Sequence, residues 1–275
     1  MEGETPAPQP RRMTRRERLR GPQFGIGGVL GKGFRIWARS LATLIVLMVI
    51  IYSPLILYQG VRIAAGTAPN ATGGFGFMQP GFWIERLLNA LSTAAVIYTV
   101  FQRLRGEQAG IGASLRICMS RFLPVLGAAI LYFVATTGPI VPFILVFPSN
   151  PPEAIGLLML GAAASLYLCL VLWVAIPPVL VEDLGSVDAL KRSAALTDGY
   201  KGQILVINLV VWVIVIAGWI AARMARDSPR ALVGAQLAVT LLVGALAATM
   251  TAVGYHDLRR AKEGVGVDDL LKVFA

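Results

Sequence analysis

The sequence predicts an all-α integral membrane protein with six transmembrane helices, and three observations lead to that fold class. Of the 275 residues, 56% are hydrophobic and 15% are charged, and the mean hydropathy is +0.69. Soluble globular chains carry about a quarter charged residues, so lipid is the expected solvent for most of this chain. Six apolar stretches are long enough to cross a membrane, and the basic residues collect on alternate loops.

Residues 1–24 predict a disordered basic cytoplasmic tail, and residues 25–275 predict the six-span membrane domain. The tail opens with a segment that bears Pro and Glu without apolar periodicity, so it has too little apolar surface to order itself. Six arginines follow, and we expect them to bind the anionic head groups of membrane lipids. They are Arg11, Arg12, Arg15, Arg16, Arg18 and Arg20.

The predicted spans follow in order. A helix that rises about 1.5 Å per residue needs ~20 residues to cross a hydrocarbon core of ~30 Å. The matching stretches are residues 41–58, 82–101, 122–147, 154–181, 204–222 and 231–255. Gly138, Pro139 and Pro142 interrupt the third stretch, and proline removes a helical donor, so we expect a kink or a re-entrant turn at its outer end.

The distribution of Lys and Arg predicts the orientation. The N-terminal flank and the loops after the second, fourth and sixth spans carry 20 of the 25 basic residues, and the other side carries five. Because basic residues resist translocation, both termini are expected in the cytoplasm. The net charge of +10 is spread over every cytoplasmic segment rather than gathered on one soluble module, which argues against nucleic-acid binding.

A short basic amphipathic segment precedes each pair of spans, at residues 31–40, 113–122 and 187–202. Their last basic residues, Arg39, Arg121 and Lys201, are separated by 82 and 80 positions. This repeat predicts three helical hairpins, each preceded by a cytoplasmic-face amphipathic helix. The alternative is that basic flanks occur in any multispan protein. In the third segment, Val187, Leu190 and Ala194 form the expected apolar face, which would lie on the lipid or the bundle side.

Most catalytic and metal chemistry is excluded by residue type. Cys118, Cys169 and His256 lack the spacing of a metal site, so neither a metal nor a cofactor is expected. Ionisable residues are absent from the span centres, which disfavours a proton relay through carboxylates. No nucleophile pattern accompanies His256, so the chain is not expected to be an enzyme.

Two stretches carry a more specific pattern. The first holds Val181, Glu182, Ala189, Leu190, Lys191, Arg192, Ser193, Leu196, Thr197, Gly199 and Tyr200. The second holds Tyr255, His256, Asp257, Leu258, Arg259, Glu263, Gly264 and Asp268. They resemble the signature loop and the terminal Tyr-Tyr-Asp-Leu-Arg stretch of the bacterial membrane domain that accompanies glycerophosphoryl diester phosphodiesterases. The resemblance covers residues 180–270, and His256 stands where a second Tyr is usual.

The resemblance implies a bacterial, multi-pass inner-membrane protein that is the membrane part standing alone. Such a phosphodiesterase needs a soluble barrel with metal-binding residues, and this chain has neither the length nor the histidines for one. We therefore expect a non-enzymatic scaffold or regulatory module at the lipid surface. Its expected partners are membrane lipids and a membrane or cytoplasmic protein. The alternative function is a carrier or lipid-handling protein with a cavity between hairpins.

Four charged residues in these stretches are candidates for a structural junction. Glu182 and Asp257 each leave a span on the cytoplasmic side, and basic residues follow both. Partly desolvated charges at a membrane surface gain from pairing. We expect Glu182 or Asp257 to pair with Arg192 or Arg259 and to lock the third hairpin onto the second. The alternative is that each charge faces water and only marks the end of its span.

Overall fold

The computed structural model describes residues 24–65, 80–107, 110–146, 151–224 and 228–264, and within them the secondary structure is helical without a strand. Six helical segments in these ranges are long and apolar enough to cross a membrane, which confirms the predicted fold class at this level. The helices are α1 Ile26–Ala64, α2 Pro80–Leu104, α3 Ile111–Ser120, α4 Phe122–Thr137, α5 Val141–Val146, α6 Pro151–Val171, α7 Ile176–Val181, α8 Ser186–Thr197, α9 Lys201–Met224 and α10 Pro229–Glu263.

Residues 1–23 of the predicted tail and the last residue of the family-like pattern lie outside the described residues. This applies to the six tail arginines and to Asp268. Phe24, which the sequence assigns to the tail, is described and is buried. Its ring meets the ring of Tyr200 edge-on, with the centroids 5.4 Å apart. The folded part of the chain therefore includes Phe24.

The centre of the molecule is formed by α1, α2 and α10, which pack along one another. Small side chains fill the interior of these helices, and Ala95, Ala245 and Ala252 are fully buried. Small residues let helix backbones approach closely, so dispersion contacts replace the hydrophobic driving force that lipid cannot supply. Gly33 of α1 is one such position, because a Cβ there would overlap with the side chain of Met250 in α10.

A proline lies inside α1 without ending the helix. Pro54 cannot donate to the carbonyl of Ile50, and the hydroxyl of Ser53 donates to that carbonyl at 2.8 Å instead. Ser53 thus satisfies the acceptor that the proline leaves free, which matters in lipid because no water replaces it. The helix continues over 39 residues and includes the basic segment 31–40, so this segment is not a separate helix.

The third span bends where its prolines lie. A 3-10 turn at Gly138–Ile140 joins α4 to α5, and both this turn and α5 pack against α6. Gly161 of α6 lies directly against the backbone at Pro139, where any Cβ would overlap with the carbonyl group. The interruption predicted from sequence is therefore a bend, held in place by close contact with the next span.

The second basic segment corresponds to α3, which lies lengthwise beside α2. The hydroxyls of Ser114 and Thr99 are 3.0 Å apart, and the thiol of Cys118 donates to the carbonyl of Leu91 at 3.3 Å. Ser114 and Cys118 of α3 thus contact α2 at two successive positions, Thr99 and Leu91. The short helix therefore runs along the long one instead of crossing its end.

The third basic segment contains α8. Ala189, Ser193 and Leu196 are buried against the bundle, whereas Val187 is 55% exposed. The expected apolar face was assigned to the lipid or the bundle side, and the exposed Val187 leaves the lipid side open for it. Toward the bundle, hydroxyl groups of α8 bind backbone atoms of the preceding span, and these contacts belong to the site described next.

Candidate functional site

Five side chains from three segments form a compact charged group, which we call the Glu182 cluster. Its members are Glu182, Arg192, Tyr255, Arg259 and Glu263. Glu182 is the C-cap residue of α7, Arg192 lies on α8, and the other three lie on α10. The chain turns sharply after Glu182, because Asp183 adopts a left-handed conformation with φ of 55°. This turn brings α8 back over the end of α7.

Glu182 is the acceptor at the centre of the cluster. The Nε atom of Arg192 donates to both of its carboxylate oxygens, at 3.0 and 2.8 Å. The hydroxyl of Tyr255 donates to Oε1 at 2.6 Å. Charge-assisted bonds of this kind are roughly twice as strong as neutral ones. One carboxylate thus ties α7 to both α8 and α10.

Glu263 completes a closed ring of contacts. It pairs with Arg192 on one side, and it accepts from Nε of Arg259 at 3.0 Å on the other. Arg259 in turn donates to the hydroxyl of Tyr255 at 3.3 Å and approaches Glu182 at 3.7 Å. Two carboxylates and two guanidinium groups therefore alternate around the ring, and the cluster has no net charge.

The cluster is largely shielded from solvent. Its four charged side chains are between 15% and 26% exposed, and Tyr255 is fully buried with its ring edge-on to Phe101. Burial lowers the pKa of Arg192, but hydrogen bonds to Glu182 and Glu263 raise it, and the net shift of its pKa is upward. Removing one partner would leave the others partly desolvated and unpaired, which is costly.

Asp257 does not join this cluster. It accepts from Nζ of Lys32 on α1, at 3.0 and 2.9 Å, and its Oδ1 lies 3.1 Å from Nδ1 of His256. His256 is buried on α10 rather than placed in a loop at the surface. Asp257 therefore joins α10 to α1, on a different side of α10 from Glu263.

A second connection links α8 to the end of the fourth span. The helix breaks after Val171, and the amide of Ala175 bonds to Leu172 rather than to Val171. The freed carbonyl of Val171 accepts from the hydroxyls of Ser193 and Thr197, at 2.9 and 3.0 Å. We call this the Val171 break. It explains why hydroxyl residues form the inward face of α8.

The chemistry of these residues favours a structural connection over catalysis. Glu182 already accepts three hydrogen bonds, so its carboxylate is not free to remove a proton from a substrate. Within the described ranges, no group of three His, Cys, Asp or Glu residues is placed to hold a metal ion. Cys118 is buried, and burial raises the pKa of its thiol to about 11.

Of the four residues singled out from sequence, the structure brings Glu182, Arg192 and Arg259 together and places Asp257 elsewhere. Sequence reasoning missed Glu263, Lys32 and the hydroxyl of Tyr255 as partners. The spacing of Tyr255, Arg259 and Glu263 was an available signal, because residues four apart share one face of a helix. Arg121 was also missed, and it pairs with Asp183 in the turn before α8.

No known protein family matches this chain, and no curated protein or solved structure is significantly similar to it.

Proposed function

We propose that this chain is a non-enzymatic scaffold or regulatory module of a bacterial inner membrane, acting at the lipid surface. In this proposal both termini lie in the cytoplasm, and the six spans form three hairpins led by amphipathic segments. The family-like stretches then correspond to the phosphodiesterase-associated membrane domain, present here without a catalytic domain. The packing and the ion pairs support the scaffold role, the distribution of basic residues supports the orientation, and the resemblance supports the bacterial inner-membrane setting.

The Glu182 cluster is the single observation that carries the proposal. Its five members belong to the two stretches on which the family resemblance rests, and they bond to one another in a closed ring. Residues of a transport or catalytic site need hydrogen-bond donors or acceptors that are available to a ligand. Here the donors and acceptors are used to hold α7, α8 and α10 together, which is the role of a rigid platform.

The packing of the central helices supports the same role. Fully buried alanines and Gly33 bring α1, α2 and α10 into close contact. These helices therefore leave little room between them for a transported substrate. Carriers work by moving repeats against one another around a central site. Close contacts on both sides of α10, together with ion pairs to α1 and α7, oppose such motion.

Liposome assays separate the scaffold from the carrier. Cysteines at Ala195 and Lys262 in a Cys118→Ser/Cys169→Ser background, joined by a short reducible bis-thiosulfonate cross-linker, would lock α8 to α10, because the side chain of Lys262 spans the gap to the carbonyl of Ala195. We expect purified protein in liposomes to leave the flip rate of a fluorescent phospholipid unchanged, whether locked or reduced. An acceleration that is lost on locking and regained on reduction would establish the carrier instead.

Reporter fusions test the proposed topology. Fusions in the tail and after Ala275 should report the cytoplasm, and fusions near Asn70, Asn150 and Asp227 should report the periplasm, because the 20 to 5 distribution of basic residues governs insertion. The same reporter without a fusion partner, and the reporter behind a signal sequence, give the cytoplasmic and periplasmic reference signals. A periplasmic C-terminus would contradict the six-span arrangement.

A further inference from the structure

One outward face of α1 combines two exposed arginines with an apolar strip. Arg35 and Arg39 are exposed, four residues apart, and therefore on the same side of the helix. Val46 and Val49 continue this side toward the membrane interior and are 45% and 40% exposed. We call these four residues the α1 lipid face.

Within the described ranges, neither arginine has the carboxylate partner that several other cations have. Among the described residues, Lys32, Arg121, Arg192 and Arg259 each form an ion pair with a carboxylate, whereas none is found for Arg35 or Arg39. Like charges four apart on a helix repel each other. An anion held between them would remove this repulsion, and Asp257, the carboxylate that contacts α1 through Lys32, is already engaged by Lys32 and His256.

The position of Arg39 along the helix points to the source of that anion. Residues 40–61 contain no charged side chain, and this uncharged length of 22 residues corresponds to ~33 Å of helix. That length matches a hydrocarbon core of ~30 Å. Arg39 therefore lies at the depth of the phospholipid phosphates, and Arg35 lies one turn further out.

We infer that the α1 lipid face binds an anionic phospholipid. Its phosphate lies between the guanidinium groups of Arg35 and Arg39, and an acyl chain lies along Val46 and Val49. Guanidinium groups suit this role because their planar donors match phosphate oxygens in pairs. This inference deepens the proposed action at the lipid surface and rests on that proposal only for the membrane setting.

Lipid titration of the full chain tests the inference. Delipidated protein in neutral detergent is titrated with phosphatidylglycerol or with phosphatidylcholine, and bound lipid is counted by native mass spectrometry. The Arg35→Gln/Arg39→Gln variant should lose about tenfold to thirtyfold in apparent affinity for phosphatidylglycerol, because each arginine near an anionic surface contributes about a fivefold factor. Its affinity for phosphatidylcholine should not change.

Matched variants make the result specific. Arg223→Gln/Arg230→Gln removes the same charge from two other exposed positions and should stay within about twofold of the unaltered chain. Arg35→Lys/Arg39→Lys should retain most of the preference, since the charges remain. The tail arginines are present in all of these variants, so their binding cancels in the comparison.

Two outcomes overturn the inference. One is an equal loss, or no loss, of phosphatidylglycerol affinity in the α1 variant and in the Arg223/Arg230 control. The other is inorganic phosphate that protects the protein against heat as well as phosphatidylglycerol does, because a free ion then replaces the lipid. Neither outcome depends on the flip-rate assay, so failure here is distinguishable from failure of the scaffold proposal.

Discussion

The second and fifth spans are built on opposite principles. The span formed by α2 is the least apolar of the six, and 56% of its most apolar stretch is buried inside the protein. The span formed by α9 is the most apolar, and only 17% of its most apolar stretch is buried. Large apolar side chains such as Val213 and Ile216 of α9 face outward, whereas α2 buries Ala94, Ala95 and Ser92. Between these two spans, higher hydropathy accompanies exposure at the outer surface rather than a position in the core.

The largest expected effect comes from the cluster that anchors the buried region. Arg192→Glu would place a third carboxylate beside Glu182 and Glu263, and we expect it to lower the free energy of unfolding by about 3 kcal/mol, because a partly buried pair is broken. Thermal unfolding in detergent, followed by circular dichroism, measures the loss.

The compensating variant makes this a test of pairing. Glu182→Arg in the Arg192→Glu background should restore part of the stability, since one ion pair is re-formed. Lys191→Glu is the matched control, because Lys191 lies next in sequence and its side chain is 74% exposed. If the control destabilises as much as Arg192→Glu, or if the double variant recovers nothing, the cluster does not hold the helices together.

Enlarging one alanine in each region tests the comparison directly. Ala95 of α2 is fully buried, and Ala95→Leu should cost about 1–3 kcal/mol through overpacking. Ala217 of α9 is exposed, so Ala217→Leu should change stability by less than about 0.5 kcal/mol. Equal melting temperatures for the two variants would show that α2 is no more closely packed than α9.

Disturbing the contact between α6 and the bent third span should destabilise only that part of the protein. Gly161→Ala forces the backbone at Pro139 to shift, and we expect a loss of about 1–2 kcal/mol, seen as faster hydrogen exchange in residues 151–171 than in α1 or α2. Gly156→Ala on the same helix meets nothing within 4 Å and is the matched control. Faster exchange throughout the protein in Gly161→Ala would show that α6 unfolds together with α1, α2 and α10.

The smallest expected effect is a difference in thiol reactivity. Cys118 is buried against α2 with its pKa raised to about 11, so its thiolate is scarce at pH 8 and alkylation by a maleimide should be slow. In a Cys169→Ser background, Cys118 should react at least tenfold more slowly than Ser120→Cys in a Cys118→Ser/Cys169→Ser background. Comparable rates would show that α3 separates from α2.

Some of this architecture was accessible from sequence, and the reasons are specific. Span length and the absence of charge mark the six segments, because lipid imposes both requirements on any crossing helix. Gly138 and Pro139 predict the bend in the third span, because the missing donor is a local property. The stripe formed by Tyr255, Arg259 and Glu263 predicts a common helix face, although not what that face meets.

The sequence does not predict which residues pair between distant segments. Asp257 and Glu263 lie six residues apart on α10, so they point in different directions, and only the arrangement of α1 and α8 decides that one meets Lys32 and the other Arg192. The inward face of α8 could not be predicted for a similar reason. Ser193 and Thr197 point inward because a distant carbonyl at Val171 needs donors, and no pattern within α8 records that need.

The Val171 break also sets an order of events during biosynthesis. A carbonyl without a donor is expensive in hydrocarbon, and the two hydroxyls that satisfy this one lie 22 and 26 residues later in the chain. The end of α6 therefore reaches its final hydrogen bonding only after α8 has been synthesised. Before that point the amide of Ala175, four residues later, can donate to the carbonyl of Val171 in a regular helix. The break at Val171 thus replaces one helical bond with two side-chain bonds once Ser193 and Thr197 are present.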